Sequence, residues 1–139
     1  MTRSVDVNDY MVKHPVLVTP DTELFDAIHK ILEHKLSGVA VIDDKKHPVG
    51  MLSELDCLRA ILAGTYYGDA IGKARIDEFM TPDVECVAGH ADLIDVAQSM
   101  LDHRHRRRPV VNARNEVVGQ LTCRQILRVI SDFGVPEKH

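Results

Sequence analysis

Tryptophan is absent from the 139 residues, and tyrosine and phenylalanine contribute three each. A surface that holds single-stranded nucleic acid by stacking bases on aromatic rings is poorly served by this composition. An excess of positive charge is missing too, since 17 Lys and Arg stand against 21 Asp and Glu for a net charge of −4. A general affinity for polyanions is therefore not expected, and nucleic acid is not the expected partner. The three cysteines, Cys57, Cys86 and Cys123, are odd in number and lack CxxC spacing, which fits a reducing compartment better than a disulfide framework. No stretch is long and apolar enough to span a membrane, and the first residues lack the apolar core of a signal peptide, so the expected location is the cytoplasm. The Gly-x-Ser-x-Gly elbow, the Walker loop and the HExxH helix are all missing. No catalytic residue is assigned and no enzyme is expected.

What is present reads as an ordinary globular chain, 45% hydrophobic and 27% charged. The charge is uneven: residues 1–69 carry 7 basic and 11 acidic side chains, whereas residues 70–139 carry 10 of each. Positive charge concentrates at residues 104–108. Eight histidines invite a metal reading. His103 and His105 are one residue apart, yet no Cys, Asp or Glu falls at familiar ligand spacing, so no metal site is expected. His14 and His47 flank prolines and read as exposed loop residues.

Comparing the chain with itself reveals its organisation. A shift of 69 residues superposes two stretches without a gap: Met11 on Met80, Val18 on Val87, Asp26 on Asp95, Leu32 on Leu101, His34 on His103, Val41 on Val110, Gly50 on Gly119, Leu52 on Leu121, Leu58 on Leu127 and Ile61 on Ile130. The chain is a duplication. The expected boundaries are 5–63 for the first copy, 64–77 for a connector, 78–132 for the second copy and 133–139 for a tail.

Each copy reads as β-α-β-β-α, an α+β fold. In the first copy residues 16–18 are extended up to Thr19-Pro20, and Asp21 or Thr22 is placed to cap a helix with an apolar stripe at Leu24, Ala27, Ile28, Ile31 and Leu32. Gly38 breaks the helix, residues 39–42 form an apolar strand, residues 43–46 turn, and residues 49–52 form a second strand. Ser53 caps a helix expected to bury Leu55, Leu58, Ile61 and Leu62. The second copy repeats this with Leu93, Val96, Ala97, Met100 and Leu101, strands at 109–111 and 117–121, and a helix from Thr122. A unit of about 60 residues buries too little surface to stand alone, so the two copies are expected to face one another across a pseudo-twofold axis with a cleft at their junction. Residues 63–77, with Gly64, Gly68 and Gly72, read as a loop in which Tyr66 and Tyr67 pack rather than gate. Cys57 and Cys86 read as small core fillers.

These residues resemble a known family. Met11 with His14-Pro15, the run Val39-Ala40-Val41-Ile42-Asp43, and Val49-Gly50-Met51-Leu52-Ser53-Glu54-Leu55-Asp56 look like a cystathionine-β-synthase-type (CBS) domain. Met80-Thr81-Pro82, Arg107-Arg108-Pro109-Val110-Val111-Asn112 and Val118-Gly119-Gln120-Leu121-Thr122 look like the second member of a pair, a stand-alone Bateman module. The resemblance covers residues 5–131. It implies clefts that bind an adenosine-containing ligand (AMP, ADP, ATP or S-adenosylmethionine) with no covalently bound cofactor, a homodimer of pairs, and regulation of a target protein that the sequence leaves unnamed.

Two segments would carry the chemistry. Ser53 stands at a helix start, where free backbone N–H groups receive phosphate. Asp56 lies one turn on, and the resemblance implies that it accepts hydrogen bonds from a ribose diol. Ser-x-x-acid is equally a capping box. In the second copy the pattern is Thr122-Cys123-Arg124-Gln125, and an amide cannot offer a diol two equivalent charged acceptors, so the Asp56 site is expected to dominate. Arg106 and Arg107 match the phosphate-contacting positions ahead of a Pro-Val strand, where a guanidinium fork suits phosphate oxygens. The competing reading places the arginines, Arg104 and His105 foremost, at a helix C-terminus facing solvent. Backbone at Val39, Ala40 and Val41 would read the base, and Thr19 and Thr122 complete the set. The rivals to an adenine-nucleotide sensor are a ligand-independent dimeric scaffold and a nucleic-acid binder.

Overall fold

The computed structural model describes residues 4–67 and 70–134, with backbone alone at the helix ends 65–67 and 133–134. In chain order the elements are β1 (Val12–Lys13), β2 (Leu17–Val18), α1 (Leu24–Glu33), β3 (Gly38–Ile42), β4 (Pro48–Ser53), α2 (Glu54–Tyr67), β5 (Val87–Ala88), α3 (Leu93–His103), β6 (Arg107–Val111), β7 (Val117–Thr122) and α4 (Cys123–Gly134). Both copies are thus β-α-β-β-α, and the chain divides into two compact units, residues 16–84 and residues 1–15 together with 85–139.

In the unit of residues 16–84 the sheet order is β2-β3-β4. β2 runs parallel to β3, with Leu17 opposite Ala40, and β3 pairs antiparallel with β4, with Val39 opposite Leu52. A parallel pair needs a crossover, and α1 supplies it. Leu24, Ala27 and Ile31 of α1 meet Val39, Val41 and Leu52 of the sheet and Cys57 and Ala60 of α2 in one core. The other unit repeats this with β5 parallel to β6 and β6 antiparallel to β7 around Leu93, Val96, Met100, Val110, Leu121, Ile126 and Val129. The hairpin turns are copies of one another. Asp43 Oδ1 accepts from the Lys45 and His47 N–H groups, each at 2.9 Å, and Asn112 Oδ1 accepts from Arg114 and Glu116 at 2.9 and 3.0 Å. This side-chain mimicry of a turn leaves Lys46 and Asn115 left-handed, at φ 65° and 61°.

Each unit is completed by the segment that leads into the other copy. Val7, fully buried, enters the core of the unit holding residues 85–134, its N–H on the Ala91 carbonyl, while Val5 accepts from Leu93 N–H. Ile76, also fully buried, enters the core of residues 16–84 in the same way, through Thr22 and through Ala74 with Leu24. β1 pairs antiparallel with β7, Val12 opposite Gln120, and its counterpart is the bridge between Thr81 and Met51. Neighbouring copies have exchanged their lead-in arms.

The structure corrects several expectations. Neither Asp21 nor Thr22 caps α1; the N-cap is Glu23, without a side-chain bond, because Thr22 Oγ1 is taken by the Thr19 N–H at 3.1 Å. The first-copy helix ends at His34, with Lys35 left-handed at φ 53°, so Gly38 begins a strand and breaks nothing. Leu32 and Leu101 face outward, and the outer face of α2 carries Leu55, Leu58 and Leu62 while Cys57 and Ala60 fill the core. α2 continues to Tyr67, and the 3-10 turns Ile71–Lys73 and Ile76–Glu78 follow, so residues 63–77 are not one loop. The side chains of Tyr66 and Tyr67 lie outside the described residues. Cys57 is buried and Cys86 half-buried; burial pushes the Cys57 thiol up to about 11. His14 is exposed and His47 half-buried.

Candidate functional site

Where β4 hands over to α2, the first free N–H groups of the helix need acceptors. Ser53 and Asp56 supply them reciprocally: Ser53 N–H donates to Asp56 Oδ2 at 2.9 Å, and Asp56 N–H donates to Ser53 Oγ at 3.1 Å. The capping box that the spacing allows is therefore formed. The second carboxylate oxygen accepts from Arg59 Nη1 at 3.0 Å. The Asp56 side chain is 6% exposed and that of Arg59 72% exposed, so a buried carboxylate is partnered from the outside by a solvated cation.

Against this corner lies the start of β3. Gly38 is opposite Ser53 and Val39 opposite Leu52, and Glu54 N–H donates to the Ser37 carbonyl at 3.0 Å. β2 reaches only Ala40 and Val41. Val39, Ala40 and Val41 are buried as whole residues, so neither their side chains nor their backbone is open at this strand. Ala40 and Val41 are flanked by strands on both sides, whereas Gly38 and Val39 are flanked by β4 alone. Thr19 follows β2 beyond Val41 at the opposite end of the sheet, its hydroxyl donating to Asp21 at 2.6 Å; the structure does not bring it to Ser53 and Asp56.

The corresponding corner of the other unit has different chemistry. Arg107 starts β6 opposite Thr122, and Cys123 N–H donates to the Arg106 carbonyl at 2.9 Å. Arg106 is exposed and Arg107 half-buried. Gln125 N–H donates to Thr122 Oγ1 at 3.1 Å, but the Gln125 amide turns away from Thr122 to donate to the Tyr10 carbonyl of the lead-in arm. Half a capping box remains, and Gln125 Oε1 is buried without a hydrogen-bond partner among the described residues. The nine candidate residues thus fall into two sets, Thr19, Val39, Ala40, Val41, Ser53 and Asp56 in one unit and Arg106, Arg107 and Thr122 in the other.

Arg104 behaves as a helix end predicts, left-handed at φ 57° and exposed at the close of α3. His105 does not simply face solvent. It is half-buried, and its Nδ1 accepts from Arg108 Nε at 3.1 Å. Arg108, 4% exposed, also donates to Ser99 Oγ at 3.0 Å. Sequence reasoning passed over Arg108, although the repeat signals it: the residue 69 positions earlier is Val39, an apolar core residue. Among the described residues no three His, Cys, Asp or Glu side chains group to hold a metal ion, and no helix is long and apolar enough to cross a membrane.

Comparison with known proteins follows the same lines. The family model of the CBS domain matches residues 7–63 and 76–132. The chloroplastic CBS domain-containing protein CBSX2 of Arabidopsis thaliana is 28% identical over 153 residues, covering 88% of this chain and 62% of its own. The crystal structure of CBSX2 in complex with AMP aligns with a TM-score of 0.82 at 28% identity, over 94% of this chain and 98% of that one. The CBS domain pair of protein MJ0100, in complex with 5'-methylthioadenosine and S-adenosyl-L-methionine, shares the fold with a TM-score of 0.81 at 23% identity, over 92% and 97% of the two chains. Inosine-5'-monophosphate dehydrogenase of Methanocaldococcus jannaschii is 26% identical over 121 residues. That match takes 87% of this chain but spans only 23% of the dehydrogenase.

Proposed function

The chain belongs to the CBS domain family, and from that premise we propose that it is a regulatory module that binds an adenosine-containing ligand (AMP, ADP, ATP or S-adenosylmethionine) and relays its presence to a partner protein rather than catalysing a reaction. The observation that carries this reading is the buried Asp56 carboxylate at the head of α2, beside the half-paired backbone of Gly38 and Val39. A carboxylate offers about four lone-pair sites. Two are used, one by Ser53 N–H and one by Arg59, and Arg59 can leave for water at little cost because its side chain is already solvated. A vicinal diol would take the vacated positions at Asp56, with the base beside the start of β3 and phosphate at the Ser53 corner; in the other unit, Arg106 and Arg107 would offer guanidinium groups to phosphate. The AMP held by CBSX2 supports an adenosine ligand; S-adenosylmethionine is the alternative. Gln125 in place of the second aspartate argues for one dominant site.

The module is further proposed to pair with a second copy of itself through its helices. Phe25 and Ile94, Leu32 and Leu101, and Leu58 and Leu127 are exposed at positions 69 apart, and a repeated apolar surface of this kind marks an association face. One observation favours the rival reading of a ligand-independent scaffold: the Ser53–Asp56 box closes on itself with no ligand required.

Thermal melting with millimolar AMP, ADP, ATP, S-adenosylmethionine and GTP decides between them. A ligand at 100 times its Kd stabilises by about 2.7 kcal/mol. An adenosine compound is expected to raise Tm where GTP does not, and Asp56→Ala is expected to remove most of that rise while Gln125→Ala removes less. Flat curves for every adenosine compound favour the scaffold.

A further inference from the structure

The second copy buries a charge where the first buries a hydrocarbon. Arg108 stands at the position of Val39, His105 at that of Leu36 and Ser99 at that of Lys30. Val39 and Leu36 pack in the core of their unit. In the other copy the guanidinium of Arg108 is held by two neutral acceptors, His105 Nδ1 and Ser99 Oγ, and its remaining nitrogen, Nη2, is buried with no hydrogen-bond partner among the described residues. Burying an ion without a counter-ion is costly, so the replacement relies on the hydrogen bonds to His105 and Ser99 to offset that cost. A guanidinium has donors only. The 3.1 Å contact therefore requires a lone pair on His105 Nδ1, which makes the imidazole neutral with its proton on Nε2.

We propose that His105 is a proton-operated latch: neutral, it accepts from Arg108 and clamps residues 104–107 between α3 and α4, and protonated, it lets that segment go. The backbone shows what the latch holds. His105 N–H donates to the Met100 carbonyl at 2.8 Å, Cys123 N–H to the Arg106 carbonyl at 2.9 Å, and Cys123 Sγ to the His105 carbonyl at 3.3 Å. Arg106 and Arg107, the cations assigned above to phosphate, ride on this segment; that consequence rests on the nucleotide reading, whereas the latch does not. The groups facing His105 all bear on its charge. Burial, Arg108 and His103 hold its pKa below the ordinary histidine value, in that order, and only Glu85 opposes them. The His103 ring lies 5.4 Å from it, and Cys123 meets it through the thiol contact to its carbonyl. A depressed pKa in the folded state means that the unfolded chain binds the proton more readily, so the latch contributes fully above about pH 6.5 and its contribution falls as the pH drops below that.

The test compares the full chain with His105→Asn, which keeps an acceptor near Nδ1 but cannot titrate, and with Arg108→Val, which restores the residue of the first copy. Between pH 7.5 and pH 5.5 the Tm of the wild type is expected to fall further than that of either variant, by about 3 °C. Amide exchange at His105 and Cys123 is expected to accelerate on acidification in the wild type alone. Equal pH slopes in all three proteins, or a His105 imidazole that titrates by NMR at or above the ordinary value, overturn the latch. Titrations with AMP, ADP, ATP and S-adenosylmethionine at the two pH values form a separate arm: absence of binding by all four at both pH values sinks the nucleotide reading, while melting and exchange still decide the latch.

Discussion

At Gly50 an added β-carbon would lie 2.6 Å from Met80 Sδ and 3.0 Å from the Thr81 carbonyl oxygen, and at Gly119 one would lie 2.5 Å from Met11 Sδ and 3.0 Å from the Val12 carbonyl oxygen. Methionine is flexible enough to move aside, but the carbonyls belong to the lead-in arms, whose pairing depends on that approach. Gly50→Ala and Gly119→Ala are each expected to lose about 1–3 kcal/mol of stability in urea denaturation. A loss below about 0.5 kcal/mol would mean that the arms tolerate displacement. At this scale the sequence showed the site unevenly. Ser53 and Asp56 were readable because a capping box is a local pattern four residues long. The cluster of Ser99, His105 and Arg108 was not, since it joins residues up to nine apart across a helix end, and a run of six basic or histidine side chains gives no sign of which one points inward.

Among the elements, the strands and α1 followed their periodicity closely, and α2 did not. Of the expected buried face at Leu55, Leu58, Ile61 and Leu62, only Ile61 packs against the core and the three leucines are exposed. Two stripes on this helix are apolar, a large one of leucines and a small one of Cys57, Ala60 and Gly64, and hydrophobic spacing alone cannot rank them. Packing ranks them by volume: the helix lies on its small side chains against the sheet, and the leucines are left outside. If they meet a second copy of the chain, Leu58→Glu with Leu62→Glu is expected to convert a sedimenting dimer to monomer, with little change in the monomer's own stability because both sites are solvent-facing. An unchanged sedimentation coefficient would assign that face to some other contact.

For the molecule as a whole, the duplication was legible and the arm exchange was not, because arms of five to ten residues carry too few apolar positions to show a period. The exchange predicts an inequality between fragments. Residues 16–84 form a contiguous compact unit that contains its own lead-in partner, Ile76. Residues 1–69 comprise the first copy but lack that partner and carry Val7, which belongs to the other core. Fragment 16–84 is expected to melt cooperatively by circular dichroism with native-like helix content, and fragment 1–69 to melt broadly with less. The reverse order would show that the arms contribute little to either core.

The same exchange sets a timetable for synthesis. Residues 5–13 leave the ribosome before both cores, yet Val7 waits for Ala91 and Tyr10 for Gln125, partners that emerge more than eighty residues later. At roughly 5–20 residues per second this arm spends several seconds with a bare valine and unsatisfied strand edges, while the stretch from 16 to 84 closes behind it. This arm, made before its partners, is expected to dock after them, and its docking completes the core around Leu93.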